Sequence, residues 1–161
     1  KTTEKLAKLC LPYFSEEKVK NFPAKMLEKI VQAYKTRLKK LSNIKDLTDF
    51  FFEDSLKYEK SLLRWKNMED GEIKNSLEKS YNILSGFKKY DKKDLEEALL
   101  QEAKKFNLEN GYQEKDRGYL LWPLRVALSG KQASASPFEI AEILGPEKTL
   151  QRIQSAKELL S

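Results

Sequence analysis

Histidine is absent from the 161 residues, and cysteine occurs once, as Cys10. Without histidine, neither a Ser-His-Asp triad nor a histidine-ligated metal site can be built, and with a single cysteine zinc binding is not expected. A lone cysteine also excludes an intramolecular disulfide and is compatible with a reducing compartment. No apolar run approaches the roughly 20 residues that cross a bilayer, so no membrane role is expected. Nothing after Lys1 resembles a secretory signal, and the sequence reads as a piece of a longer chain. Period-two alternation of useful length is missing, as is any internal repeat, so neither strands nor a repeat array is predicted. Carboxylates are plentiful, but they scatter over helix-like surfaces without the focus that acid–base chemistry needs.

What is present is a foldable, uneven chain. Apolar residues make up 40% and aromatics 11%, enough for a core, and 18.8 kDa accommodates one domain or two small ones. The formal net charge is +6. Residues 1–50 hold 12 Lys/Arg against 6 Asp/Glu, whereas residues 51–161 hold 19 of each. A basic first third beside a neutral remainder suits a face set against a polyanion; lysines that merely solvate helix faces would give the same count.

The apolar spacing predicts helices throughout. Leu6, Leu9 and Tyr13 form a first stripe, and a short helix is expected after Ser15. Pro23 suits a first turn, and Leu27, Ile30, Val31, Tyr34, Leu38 and Leu41 then predict one amphipathic helix over 23–41. Its polar side carries Lys25, Lys29, Lys35, Arg37, Lys39 and Lys40, the most basic element of the chain. Asn43, with Asp46 three residues on, reads as a cap for the next helix, which Phe50-Phe51-Phe52 ends. Those rings suit a core better than a base-stacking platform. Leu62, Leu63 and Trp65 centre a mixed segment; Ile73, Leu77, Tyr81 and Leu84 mark a helix closed by Gly86. Asp91 and Asp94 open another, with Leu95, Leu99 and Ala103 inward, broken at Asn110-Gly111.

The segment 118–130, GYLLWPLRVALSG, is strongly apolar with Arg125 as its single charge. Pro123 predicts a helix starting near it, with 118–122 as an extended approach. Arg125 either completes a buried ion pair, with Glu139 or Glu142, or points into a binding surface. Ser136-Pro137 with Glu139 is a capping-box start, followed by Phe138, Ile140, Ile143 and Leu144. Gly145 closes that helix and Pro146 starts the last, with Leu150, Ile153, Ala156, Leu159 and Leu160 inward and Arg152 and Lys157 toward the outer side. The reading is all-α, with eight to ten short helices.

PLRVALSG, a short polar loop and FEIAEILGPEKTLQRI resemble the C-terminal end of bacterial glutamyl-tRNA synthetases, whose usual pattern is Pro-Leu-Arg-x-Ala-Leu-Thr-Gly, a Ser/Thr-Pro loop and Leu-Gly-Lys-Glu-x-x-x-x-Arg. YKTRLKKLSNIKDLTDFFFED is similar to the family's Arg-x-x-Thr-Leu segment with its aromatic run. Both occur in the family's order, so the resemblance covers nearly the whole chain. Ser129 stands where threonine is common, Pro146 where lysine is, Lys40 where threonine is, and the loop 131–137 has its Ser-Pro pair in a different register.

The resemblance implies the anticodon-binding portion of a class I synthetase, a right-handed helical bundle often called an α-helix cage, in two subdomains taken here as 1–66 and 67–161. The catalytic half, with its ATP and Mg, is not expected in this sequence: it has no HIGH-like or KMSKS-like motif, and no cofactor is expected. The implied setting is cytoplasmic, the implied partner glutamate tRNA, and the chain is expected to be monomeric. Arg37 matches the family's reader of the third anticodon base, where an arginine donates twice to a cytosine edge. Arg125 matches a second anticodon-contacting arginine, and Ser134, Ala135, Pro137 and Phe138 occupy the loop that wraps the anticodon, although Phe138 equally fits the core. Lys39, Lys40 and Lys131 are candidates for phosphate contacts. A helical protein-interaction domain without an RNA role is the competing reading, and whether the whole enzyme would also accept glutamine tRNA stays open.

Overall fold

The computed structural model describes the chain apart from Lys1, Ser15 and Asn21, and apart from the side chains of Glu16 and Lys18. Among the described residues every regular element is helical, as the patterning requires. The chain divides into two compact units, Lys1–Asp54 and Ser55–Ser161. The boundary therefore falls before the expected 66/67. Residues 55–66 belong to the second unit because Trp65 and Leu62 are bonded into it, as described below.

The first unit holds α1 (Thr3–Cys10), α2 (Glu16–Val19), α3 (Ala24–Tyr34) and α4 (Asn43–Thr48), with single 3-10 turns at Leu11–Tyr13 and Asp49–Phe52. Thr2 caps α1 by accepting from the Lys5 N–H at 3.3 Å. Its buried face is not the expected leucine stripe: Ala7 and Cys10 are inside, and Leu9 and Tyr13 are exposed. Small side chains let α1 lie close on α3, and Pro12 turns the chain before Tyr13 can continue the helix. Helix α3 buries Leu27, Ile30, Val31 and Tyr34 as its spacing predicts, with Pro23 at the cap position. It stops at Tyr34, short of the expected residue 41. A continued helix would set Lys35 over Lys39 and Arg37 over Lys40, like charges at the spacings where they repel.

Ser42, not Asn43, precedes the first turn of α4, and no side-chain cap bond forms there. The three phenylalanines are structural. Phe50 and Phe51 are buried against Tyr34, with ring centroids 6.5 and 6.2 Å from it, and Phe52 meets Phe14 at 5.8 Å and Phe22 at 4.8 Å.

The second unit holds a 3-10 turn (Lys60–Leu63) and helices α5 (Asp70–Ser85), α6 (Lys92–Asn110), α7 (Gly118–Ser129), α8 (Pro137–Leu144) and α9 (Pro146–Leu159). Asp91 caps α6, and Gly111, at φ 70°, ends it. Helix α7 packs against each of the other four helices. It begins at Gly118, so 118–122 is helical rather than extended, and it runs through Pro123.

The continuity has a chemical cause. Pro123 has no N–H to give the Tyr119 carbonyl, which would be orphaned inside the unit. The Ser76 hydroxyl of α5 donates to that carbonyl at 2.7 Å. Gly118 admits a second neighbour, since a Cβ there would stand 2.1 Å from Trp65 Cε2.

Ser76→Ala should therefore cost about 1–3 kcal/mol in urea unfolding, because it removes the donor that meets this part-buried carbonyl. Ser80, equally buried on the same helix, has a hydroxyl that meets no partner among the described residues. Ser80→Ala should be neutral or stabilising, and equal losses for the two variants would sink the assignment.

Candidate nucleic-acid interface

In the first unit the interface candidates sit on a turn. Residues 35–42 link α3 to α4, and the Arg37 N–H closes the turn onto the Tyr34 carbonyl at 2.8 Å. Tyr34 is fully buried in the aromatic cluster, and Ile44 is fully buried at the other end, so both ends of the turn are anchored. Between them Lys35, Arg37, Lys39 and Lys40 are exposed. Arg37 is thus on the turn after the basic helix, not on it. Cations there also face the negative end of the α3 dipole, which favours them.

In the second unit the candidates gather around α7 and the loop to α8. Gly130 takes φ 67° and returns its N–H to the Val126 carbonyl at 2.6 Å. Ser129 Oγ donates to the Arg125 carbonyl at 2.8 Å and accepts from the Lys131 N–H at 3.2 Å. Arg125 is half-buried. Its Nη1 donates to Ser134 Oγ at 2.7 Å and its Nη2 to the Gln132 carbonyl at 2.6 Å. The guanidinium carbon lies 4.6 Å from the centre of the Trp122 ring. Trp122 is fixed in turn by its indole N–H on the Leu62 carbonyl at 2.9 Å and by Trp65, 5.3 Å away.

Of the expected loop contacts, Ser134 and Lys131 are half-buried, and Ser134 also donates to the Ala135 carbonyl at 2.9 Å. Ala135, Pro137 and Phe138 are buried, with Phe138 only 8% exposed. Their side chains are core, which removes Phe138 as a stacking surface in this arrangement. The cause lies in the capping box: Ser136 and Glu139 start α8 at Pro137, and the apolar stripe of that helix begins at once. Gln132 and Ala133 are the exposed residues of 130–138.

Arg152 departs most from expectation. It is 3% exposed rather than outward, and its Nη1 donates to the Leu128 carbonyl at 2.6 Å. A carbonyl in the last turn of α7 has no helical donor, and a cation there also suits the dipole. Burial pushes the Tyr58 phenol up to about 12, against the opposing charge of Arg152. The sequence signal missed for Trp122 was its i,i+3 spacing to Arg125, which puts ring and guanidinium on one helix face. Arg152 and Gln132 had no such local signal.

At the other end of α7, Asp116 accepts from the Trp65 indole at 2.9 Å, from the Gly118 N–H at 3.1 Å and from Lys66. Burial alone would raise its carboxyl, but these donors outweigh it and hold the group below its ordinary value of 3.8. A depressed folded value stabilises above the unfolded one and is lost as pH falls through the folded one. Asp116→Asn should cost about 1–3 kcal/mol at neutral pH, and the gap should close below about pH 4. Urea titrations of both proteins at several pH values check this; a gap unchanged in acid would refute the assignment.

A family model described as "Anticodon binding domain" matches residues 5–157. A glutamate–tRNA ligase of Clostridium tetani is 33% identical over 160 residues, covering 98% of this chain and 30% of that protein. One from Caldicellulosiruptor saccharolyticus is 33% identical over 166 residues, covering 98% of this chain and 32% of that protein. The chain thus spans about 30% of the length of the curated relatives it matches. In fold it is similar to a glutamate tRNA ligase from Elizabethkingia meningosepticum, with a TM-score of 0.78 at 20% identity, covering 100% of this chain and 30% of that one.

Proposed function

The chain belongs to the family of anticodon-binding domains, and on that premise we propose that it binds the anticodon loop of glutamate tRNA for a glutamate–tRNA ligase. The chemistry, an ATP- and Mg-dependent attachment of glutamate, falls in this reading to a part of the enzyme outside this chain, which alone does not charge tRNA. The setting is cytoplasmic. The observation that carries the reading is the turn 35–40, with four exposed cations, no carboxylate and both ends tied to a packed core. Lys39 and Lys40 hold phosphates, as does Lys131 on the second unit, while Arg37 reads the third anticodon base.

The roles follow from the chemistry of the groups. An ammonium on a flexible stem neutralises phosphate without reading sequence. A planar guanidinium presents two parallel donors, which match the acceptors of a cytosine edge in an unstacked loop. A turn sets these groups out over successive positions, whereas a helix would distribute them around its axis.

Binding of glutamate tRNA to the chain, followed by fluorescence anisotropy, should weaken at least about tenfold between about 50 and about 200 mM salt. Lys40→Ala should weaken all tRNAs alike and reduce the log–log salt slope by about 1. Arg37→Gln should reduce the preference for glutamate over glutamine tRNA by about 1–3 kcal/mol. Equal binding of glutamate tRNA and an unrelated tRNA would defeat the proposal and favour a helical protein-interaction role; an unchanged preference in Arg37→Gln would remove that residue alone.

A further inference from the structure

Half-buried rings and cations alternate in one row on the second unit. The Arg125 guanidinium carbon lies 4.6 Å from the centre of the Trp122 ring, and Trp122 lies 5.3 Å from Trp65. The Lys66 ammonium stands 5.8 Å from the Trp65 ring and 5.7 Å from that of Tyr119. Tyr119 in turn stacks on Tyr112 at 3.9 Å, with 6° between the planes. The row thus leads from Arg125 back to the start of α7, with Lys66 exposed in its middle.

The row is rigid, and most of its polar atoms are spent on the protein. The Trp122 indole donates to the Leu62 carbonyl at 2.9 Å, the Trp65 indole to Asp116 at 2.9 Å and the Tyr112 hydroxyl to Glu72 at 2.5 Å. Lys66 takes φ 55°, the left-handed region that a residue with a Cβ enters only at a cost. That backbone holds its ammonium over two rings and beside Asp116. What the row turns outward is ring surface and positive charge.

We propose that this row carries the RNA-binding surface along α7, with Trp65, Tyr119 and Tyr112 packing on nucleotides next to the anticodon and Lys66 meeting their phosphate. The proposal rests on the anticodon-loop reading above. Continuity selects RNA as the occupant. Arg125, at one end of the row, reaches the Lys131 carbonyl at 3.5 Å, and Lys131 is the residue set on a phosphate in that reading. Tyr119 lies six residues before Arg125, about 9 Å along the helix at about 1.5 Å per residue. That is between two and three nucleotide steps of about 3.4 Å.

Fixed rings with cations among them suit single-stranded RNA, whose bases all present a π-face and whose phosphates need a donor. The Lys66 ammonium has three donors, one of them on Asp116, which leaves two for phosphate oxygens. With the indole N–H groups and the Tyr112 hydroxyl already bonded inward, the contact adds affinity and little base preference.

The test uses the whole chain with glutamate tRNA and with its anticodon stem–loop, read by fluorescence anisotropy. Lys66→Gly accepts the left-handed backbone and removes the ammonium; it should weaken binding about threefold or more and lower the log–log salt slope by about 1. Tyr119→Leu keeps an apolar cover and removes the ring; it should weaken binding about fivefold or more with the slope unchanged, and Tyr119→Phe should recover most of that loss. Preference among transcripts with single anticodon bases replaced should not move in any of them. An abasic nucleotide is also placed in turn at each stem–loop position outside the anticodon. At one position or more it should weaken wild type and add nothing to the loss in Tyr119→Leu.

Lys66→Gly that keeps the wild-type unfolding midpoint and binds both RNAs as wild type does would overturn the inference and leave the proposed function standing. So would abasic losses that are the same in wild type and in Tyr119→Leu, or an anticodon preference that changes in Tyr119→Leu. Should Tyr119→Leu not fold, the abasic series is crossed with Lys66→Gly and decides in the same way. No preference of the wild-type chain for glutamate tRNA over an unrelated tRNA would take down the functional reading, and this inference with it.

Discussion

The hydroxyl of Ser76 on the carbonyl of Tyr119 is the bond that lets α7 exist as one helix. Pro123 removes the donor that this carbonyl would have used, and the Ser76 hydroxyl replaces it. With the bond in place, α7 continues to Ser129 and carries Trp122 and Arg125 on the same face. The far end of α7 meets the same difficulty and solves it differently. Arg152 meets the Leu128 carbonyl and Gly130 meets that of Val126. The loop that leaves the helix thus starts from a fixed direction, and only then does the hydrogen bonding of Arg125 have a defined loop to act on.

Which parts of this were legible beforehand follows from the reach of the forces involved. The start of α8 was readable because Ser136, Pro137 and Glu139 act on their own backbone, and so were the cap at Asp91 and the stop at Gly111. The buried stripes of α3 and of α6 were readable because their periodicity is local. The continuity of α7 was not, since the donor that repairs it lies on α5. The burial of Arg152 was hidden for the same reason: its partner is a carbonyl of another helix. For α1 the leucines advertised a face, but close approach to α3 selected the small residues Ala7 and Cys10 instead.

The candidate site was legible as a set of segments and less so as a set of atoms. Residues 35–40 and the loop after Gly130 are the right kind of surface, exposed and joined to rigid elements. Within them the sequence ranks residues by chemical type, while the fold ranks them by accessibility. Pro137 and Phe138 lose their candidacy for side-chain contacts because the capping box at Ser136 puts them into a helix that is apolar from its first turn, and Ala135, just before that cap, is buried as well. Gln132 and Ala133 are what remains outside. Arg37 keeps its exposure, but as a turn residue whose register is set by the burial of Tyr34.

The two surfaces differ in range as well as in residue type. Residues 35–40 carry four cations and no carboxylate, so their attraction for a polyanion extends over roughly a Debye length, about 10 Å in moderate salt. The loop after Gly130 has Lys131 as its one charge and offers a neutral amide in Gln132. A neutral amide acts only at hydrogen-bond distance, and only if it is already aimed. This explains why the structural investment differs. The lysines of the basic turn need no more than anchored ends, because a lysine can find a phosphate over several rotamers with little loss. The backbone beneath Gln132 is held by a ring, a guanidinium and a hydroxyl together. Long-range attraction tolerates freedom and a directed hydrogen bond does not, and the bonding is denser at the loop after Gly130 than at the basic turn.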